Sequence, residues 1–332
     1  MAAGKYTLLD LATRSGAGVT SLIEGVLTYA PELMIVPTFP KAGITYTTLT
    51  RSALPAGDFR AVGGGVPLQR SEWKRETGSM ALFEAQMQIA EDIVIAAKAE
   101  NSDLITGDIL ADEAIATLRG SVIRICSQFW YGTSIGASGF QGLSTQVDTT
   151  NNEVNAGGAG GANSNSVYLV YLDDNVVNPQ GIHFFLGNGG RMNMADQWIK
   201  QQLATTDTPA KYFMAFVNNF ISYLGLVLER PEALYRAKNV TTAFPFTDGV
   251  AAQVLAKVPL ALRADKTKFR WFMNAQALYT LQASRATVTV ATPGSTGVAK
   301  GGVFPDMPES CLGIQIQPTD SLRISDRAGL FN

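Results

Sequence analysis

Histidine is almost missing from this chain: His183 is the only one in 332 residues, and cysteine occurs only at Cys126 and Cys311. A multi-histidine metal centre therefore cannot be built, and a histidine-based triad could use only His183. Its neighbours Ile182 and Phe184 place that histidine in an apolar strand pattern, which predicts a packed side chain and not a catalytic one. The cysteines lie far apart and form no CxxC or metal-ligand spacing, so free thiols are expected. Charge is scarce as well, at 16% of residues against about 25% in an ordinary soluble domain. A formal net charge of −2 without a Lys/Arg-rich stripe argues against a dedicated nucleic-acid binder. Residues 17–36 are fairly apolar, but Glu24, Pro31 and Glu32 interrupt them well short of the ~20 apolar residues of a membrane span. Met1 to Lys5 leads into polar residues and not into the apolar core of a signal peptide. These absences predict a soluble protein of a reducing cytosol, without membrane contact, whose partners are proteins.

What is present is a large apolar content, 46% of residues, enough for a substantial core. The best defined element runs from Gly107 to Gly132. Gly107-Asp108 suggests a turn and an N-cap carboxylate, Asp112 and Glu113 load the first turns with negative charge, and Arg119 and Arg124 follow. Ala111, Ala114, Ile115, Leu118, Val122, Ile125, Cys126 and Phe129 recur at three- and four-residue steps, predicting one apolar stripe along a helix of roughly 35 Å. Such a helix needs a large partner surface.

Before it, Leu8 to Ala12 and Val19 to Leu27 suggest two short helical segments of an N-terminal arm, closed by Ala30-Pro31. The β-branched run from Ile44 to Thr50 predicts a strand, and Pro55 to Asp58 and Gly63 to Pro67 carry turn signals, together a long β-hairpin. Six basic residues (Lys41, Arg51, Arg60, Arg70, Lys74, Arg75) face two acidic ones (Asp58, Glu72) between positions 41 and 75, whereas residues 76–113 hold nine Asp or Glu and a single Lys98. A basic hairpin beside an acidic body suits an element that reaches onto a neighbouring copy. Two solvated faces of opposite sign would read the same way.

Ala81, Phe83, Ala85, Met87 and Ile89 alternate with Leu82, Glu84, Gln86 and Gln88, predicting a strand with one buried face that leads through Ile93-Val94-Ile95 into the helix. Gly139 to Leu143 reads as a compact turn with two apolar anchors, and the Gly-rich tract Asn155 to Asn163 as a boundary between substructures. Strands are expected at Val167 to Leu172, Ile182 to Leu186, Trp198 to Leu203, Tyr212 to Phe220, Phe269 to Met273 and Leu312 to Ile316. Thr247-Asp248 is expected to cap a helix through Val250, Val254, Leu255 and Val258, and Asn274 to lead another through Leu278 and Leu281. Gly294 to Gly302 loosens the chain again. Mixed strands and helices predict an α+β or α/β class.

The remaining motifs carry no chemistry. Gly187-Asn188-Gly189-Gly190 lacks the spacing and terminal Lys-Ser/Thr of a phosphate-binding loop, and Gly63 to Gly65 reads as a hairpin tip. Asp112-Glu113 and Asp173-Asp174 are adjacent in sequence and have no partner of matched role. No cofactor and no metal ligand set is expected.

The order of the parts resembles a tailed-phage major capsid protein of the HK97-like fold. Local strings resemble that family too: Phe59-Arg60-Ala61-Val62 entering a Gly-rich loop, Phe129-Trp130-Tyr131-Gly132-Thr133 closing the helix, Met273-Asn274 leading to Leu278 through Arg285, and Gly313 to Ile316 leading to Thr319 through Leu322. The resemblance implies an α+β fold with an N-terminal arm over 1–35, an extended loop over 36–76 and a peripheral domain over 77–165 whose spine helix spans 107–131. An axial domain over 166–299 would follow, and a closing segment over 300–332 would return to the peripheral domain. It implies a shell protein and not an enzyme: self-assembly through pentamers and hexamers into an icosahedral virion capsid, built in the bacterial cytoplasm around double-stranded DNA held without sequence specificity. Scaffolding, portal and decoration proteins would be further partners. Some members carry a cleavable N-terminal scaffolding region; this chain starts almost directly at its arm, which leaves a separate scaffolding protein or none. On this reading the subunit interface would use Arg51, Arg60, Arg70, Trp73, Lys74 and Arg75 of the loop, with Asp108, Asp112 and Glu113 of the helix. An encapsulin-type shell shares the fold and is the nearest alternative; an α/β metabolic enzyme is the alternative from another class.

Overall fold

The computed structural model describes residues 31–100, 104–133, 139–158, 164–175, 179–190, 193–194, 198–204, 211–286 and 307–322. The arm expected before residue 31 and the tracts at 159–163 and 294–302 lie outside these residues. The chain opens with a single helical turn, α1 (Glu32–Ile35), a short strand β1 (Thr38–Pro40), and the antiparallel hairpin β2 (Thr45–Ala53) and β3 (Glu72–Ser79). Then come β4 (Ala81–Ala90), α2 (Glu91–Glu100), the long helix α3 (Leu104–Tyr131), α4 (Leu143–Gln146) and β5 (Glu153–Asn155). The second half holds β6 (Asn165–Tyr171), β7 (Ile182–Leu186), β8 (Asn193–Met194), β9 (Ile199–Ala204), β10 (Tyr212–Leu228) and β11 (Leu234–Val240). It closes with α5 (Asp248–Lys257), α6 (Leu260–Arg263), β12 (Phe269–Met273), α7 (Ala275–Ala286), β13 (Ser310–Cys311) and β14 (Ile314–Pro318).

Two six-stranded sheets organise these parts. The first is built on β10, whose 17 residues pair with β4 along one edge and with β9, β8 and β7 in succession along the other; β1 adds to β7 in parallel. In β4 the expected alternation is present, with Ala81, Met87 and Ile89 buried and Leu82, Glu84, Gln86 and Gln88 exposed. The second sheet runs β13-β14-β12-β6-β11-β5. Its central strands are apolar on both faces, as strands covered from two sides must be: Val167 to Leu172 and Trp271 to Met273 are all buried. Strand pairing crosses the expected boundaries, since β10 of the 166–299 segment pairs with β4 and β7 with β1, β5 pairs with β11, and β14 pairs with β12.

The end of α3 joins the two sheets. Phe129 lies 5.4 Å from Phe184 of the first sheet, and Trp130 lies 4.9 Å from Tyr168 and 5.4 Å from Phe272 of the second. Both residues are fully buried. The helix stops at Gly132, whose N–H bonds the Gln128 carbonyl, and the chain turns back through Gly139 to Leu143. A Cβ on Gly132 would lie 2.3 Å from the Phe140 carbonyl oxygen, so this turn requires glycine. Phe140 and Leu143 are buried anchors, as the sequence predicts.

Four expectations need correction. The helix already includes Leu104, so Gly107-Asp108 is not its N-cap but lies within its first turns. Ala111 of the expected stripe is exposed, and the buried side begins at Ala114. Ile93 to Ile95 belong to a separate helix, α2, because the acidic pair Glu91-Asp92 supplies a helix start directly after β4. Leu312 and Gly313 are the two-residue turn between β13 and β14, both with positive φ (54° and 80°), a geometry that no strand residue adopts. By contrast Thr247 caps α5 as predicted, its side chain accepting from the Val250 N–H at 3.3 Å.

Candidate assembly interface

The hairpin stands on an aromatic footing. Tyr46 pairs across the strands with Gly78, and a Cβ at Gly78 would fall 2.3 Å from the Tyr46 ring, so the ring fills the space that a side chain would take. On its other side the ring packs 5.3 Å from Phe185 of β7. Met80, Phe185 and Val227 form a small second core here, with Phe39, Tyr46 and Tyr223 packed around it. The Lys41 ammonium sits over the Phe185 ring at 4.8 Å.

His183 closes this footing from within. It is fully buried, edge-on to Phe39 at 5.0 Å and to Phe185 at 4.7 Å. Burial, helped by the nearby Lys41 charge, pushes its pKa down to about 4, so the imidazole is neutral at ordinary pH. The sequence expectation of a packed histidine holds.

Beyond the strands, residues 53–70 are exposed throughout. The loop has its own local order: the Ala56 N–H donates to Gln69 Oε1 at 2.9 Å, Arg60 donates to the Gly64 carbonyl at 2.5 Å, and the Gly64 N–H donates to the Ala61 carbonyl at 3.0 Å. Gly63 adopts a φ of 86° within that turn. Yet Phe59, Val62 and Leu68 have relative exposures of 104%, 108% and 104%, and Leu54 of 72%. Single apolar residues on a surface are ordinary, but four on one loop make it a candidate interaction surface.

The residues expected at an interface fall into two groups. Arg51 is the cross-strand partner of Trp73, Thr50 of Lys74, and Leu49 of Arg75, so Arg51, Trp73, Lys74 and Arg75 cluster on the hairpin strands, while Arg60 and Arg70 lie in its loop. Arg60, Arg70, Trp73 and Arg75 are exposed. Asp108, Asp112 and Glu113 belong to α3, which packs with α2, β4 and α4. Glu113 is exposed, and the side chains of Arg51, Lys74, Asp108 and Asp112 lie outside the described residues. Sequence reasoning followed charge here and overlooked the apolar loop residues; large apolar side chains amid turn-forming Gly, Pro and Asp were the available signal. Among the described residues no group of three or more His, Cys, Asp or Glu could hold a metal ion.

A family model described as major capsid protein GP7 matches residues 39–326. No curated protein matches the chain by sequence. Among solved structures, a chain of bacteriophage Epsilon15 aligns with a TM-score of 0.59 and 11% identity, covering 86% of this chain and 85% of that one. The bacteriophage JBD30 capsid aligns with a TM-score of 0.45 and 12% identity over 89% and 91% of the two chains. A virus-like particle from Pyrococcus furiosus aligns with a TM-score of 0.35 and 11% identity over 66% of this chain and 96% of its own. The Epsilon15 alignment shows a shared fold, and the family match favours the phage capsid over the encapsulin alternative. Since the family model spans most of the chain and the α+β architecture is that of a phage capsid structure, the chain belongs to the major capsid protein GP7 family and has the HK97-like fold of tailed-bacteriophage capsid proteins.

Proposed function

We propose that copies of this chain assemble into a closed icosahedral shell of five- and six-membered rings, the virion capsid, and that each hairpin loop is covered by an adjacent copy. The single observation that carries this reading is the contrast within the hairpin, held at its base by Tyr46, Phe185 and Met80 and presenting Phe59, Val62 and Leu68 uncovered at its tip. Covering such residues in an interface releases about 25 cal/mol per Å² of apolar surface, repeated at every contact around the shell. The basic hairpin residues Arg60, Arg70 and Arg75 would align this loop on the acidic stretch of a neighbour that includes Glu113. The contents would be double-stranded DNA held without sequence-specific contacts, with scaffolding, portal and decoration proteins as further partners and assembly in the bacterial cytoplasm.

On this reading the first sheet, with α2 and α3, is the peripheral body, and the second sheet, with α5 and α7, is the axial body around the five- and six-fold axes. That division follows strand pairing in place of the linear boundaries at 165 and 299. Negative-stain electron microscopy of wild-type protein beside Phe59→Ser/Val62→Ser/Leu68→Ser tests the proposal. Polyhedral particles or ring-shaped capsomers are expected from the wild type and their loss from the variant; equal particle yields from both would overturn the role of the loop.

A further inference from the structure

A buried carboxylic acid ties three distant parts of the chain together. Glu32 of α1 is fully buried. The Trp130 indole N–H donates to its Oε1 at 2.8 Å, and the Thr319 hydroxyl donates to the same oxygen. Oε2 is also buried and has no partner among the described residues. The groups facing this carboxyl are the Trp130 indole and the Cys126 thiol from α3, and the hydroxyls of Thr319 and Ser321 just after β14. None is a cation. Thr319 is further held by its N–H to the Met273 carbonyl at 2.9 Å, and Leu33, Val36 and Leu322 bury the flanks.

Among the described residues an ionised carboxylate in this site has no counter-ion, and a protein interior disfavours such a buried charge strongly, whereas the neutral acid keeps both hydrogen bonds to Oε1. We propose that Glu32 is a proton-linked latch: as the neutral acid it holds α1 and the segment after β14 against the end of α3, and ionisation loosens both. The proposal is independent of the assembly reading.

Burial raises the pKa of Glu32 above its ordinary 4.5, with the Thr319 and Trp130 hydrogen bonds opposing in part. The open form ionises near the ordinary carboxylate value while the latched form keeps its proton to higher pH. The latched form therefore binds more protons between these two values. Latching is complete below the ordinary value, weakens as the pH rises through the raised one, and stays weakened above it.

Amide hydrogen exchange of the full-length protein between pH 5 and pH 9, corrected for the intrinsic pH dependence of exchange, tests the latch. In the wild type, protection of residues 31–36 and 314–322 should fall severalfold as Glu32 ionises, while β12 keeps its protection. Glu32→Gln, which keeps the acceptor oxygen but cannot ionise, should show no such fall. Thr319→Val, which removes a donor that favours the charged form, should shift the fall to higher pH. A flat wild-type profile, a Gln variant that follows the wild type, or an unmoved transition in the Val variant would each overturn the proposal.

Discussion

The base and the tip of the hairpin obey opposite rules. At the base the rings are matched inside the chain: Tyr46 fills the space over Gly78 and meets Phe185, while His183 lies between Phe39 and Phe185. At the tip Phe59, Val62 and Leu68 are fully exposed, and the loop carries its own hydrogen bonds, such as Arg60 to Gly64. On the proposed reading the base is stabilised by folding and the tip by assembly. Substitutions at the base should therefore cost stability, and those at the tip should cost particles.

The largest loss of stability should come from the end of α3 where it packs on the second sheet. Trp130→Ala removes an indole packed on Tyr168 and Phe272 and strips Glu32 of a donor, a loss of about 3–5 kcal/mol. Insoluble protein or a steep drop in denaturant midpoint would register it. Next comes acid. His183 has a folded-state pKa of about 4 against 6.5 in the unfolded chain, so the unfolded state binds more protons between those values. Its contribution is complete above pH 6.5 and is lost as the pH falls towards 4, on the order of 3 kcal/mol in all. Urea melts at pH 7 and pH 4.5 should show this, and His183→Gln should reduce the difference.

Smaller effects separate base from tip. Gly78→Ala puts a Cβ into the Tyr46 ring and should cost about 1–3 kcal/mol by lifting the hairpin off Phe185, seen as faster proteolysis near residues 41–46. Arg60→Glu/Arg70→Glu/Arg75→Glu should leave the melting of the subunit within about 0.5 kcal/mol per site of the wild type, because exposed charges contribute little to their own fold, yet impair assembly. Normal particles from that triple variant would remove charge from the docking account.

Legibility in the sequence followed the range of the interactions. The α3 stripe from Ala114 onward, the β4 alternation, the Thr247 cap and the packed His183 are written in neighbouring residues, and the chain adopts them. The partition of strands between sheets is not local. Val167 to Leu172 and Ile182 to Leu186 look like consecutive partners, yet β6 joins the second sheet and β7 the first. The 17 residues of β10 were legible only as far as Phe220, because its partner changes from β9 to β7 along its length. Glu32 seemed only to interrupt an apolar stretch; its donors lie 98 and 287 residues away. For the proposed interface, the charge pattern points to the hairpin but not to the apolar residues at its tip. An exposed phenylalanine and a buried one are spelled alike.

Hydroxyl-radical footprinting of Phe59 in intact particles and in dissociated subunits would test the central claim most directly. If a neighbouring copy covers the tip, oxidation of Phe59 should fall at least about tenfold on assembly, while exposed Tyr279 of α7 serves as a reference within the same sample. Equal oxidation of Phe59 in particles and subunits would contradict the account.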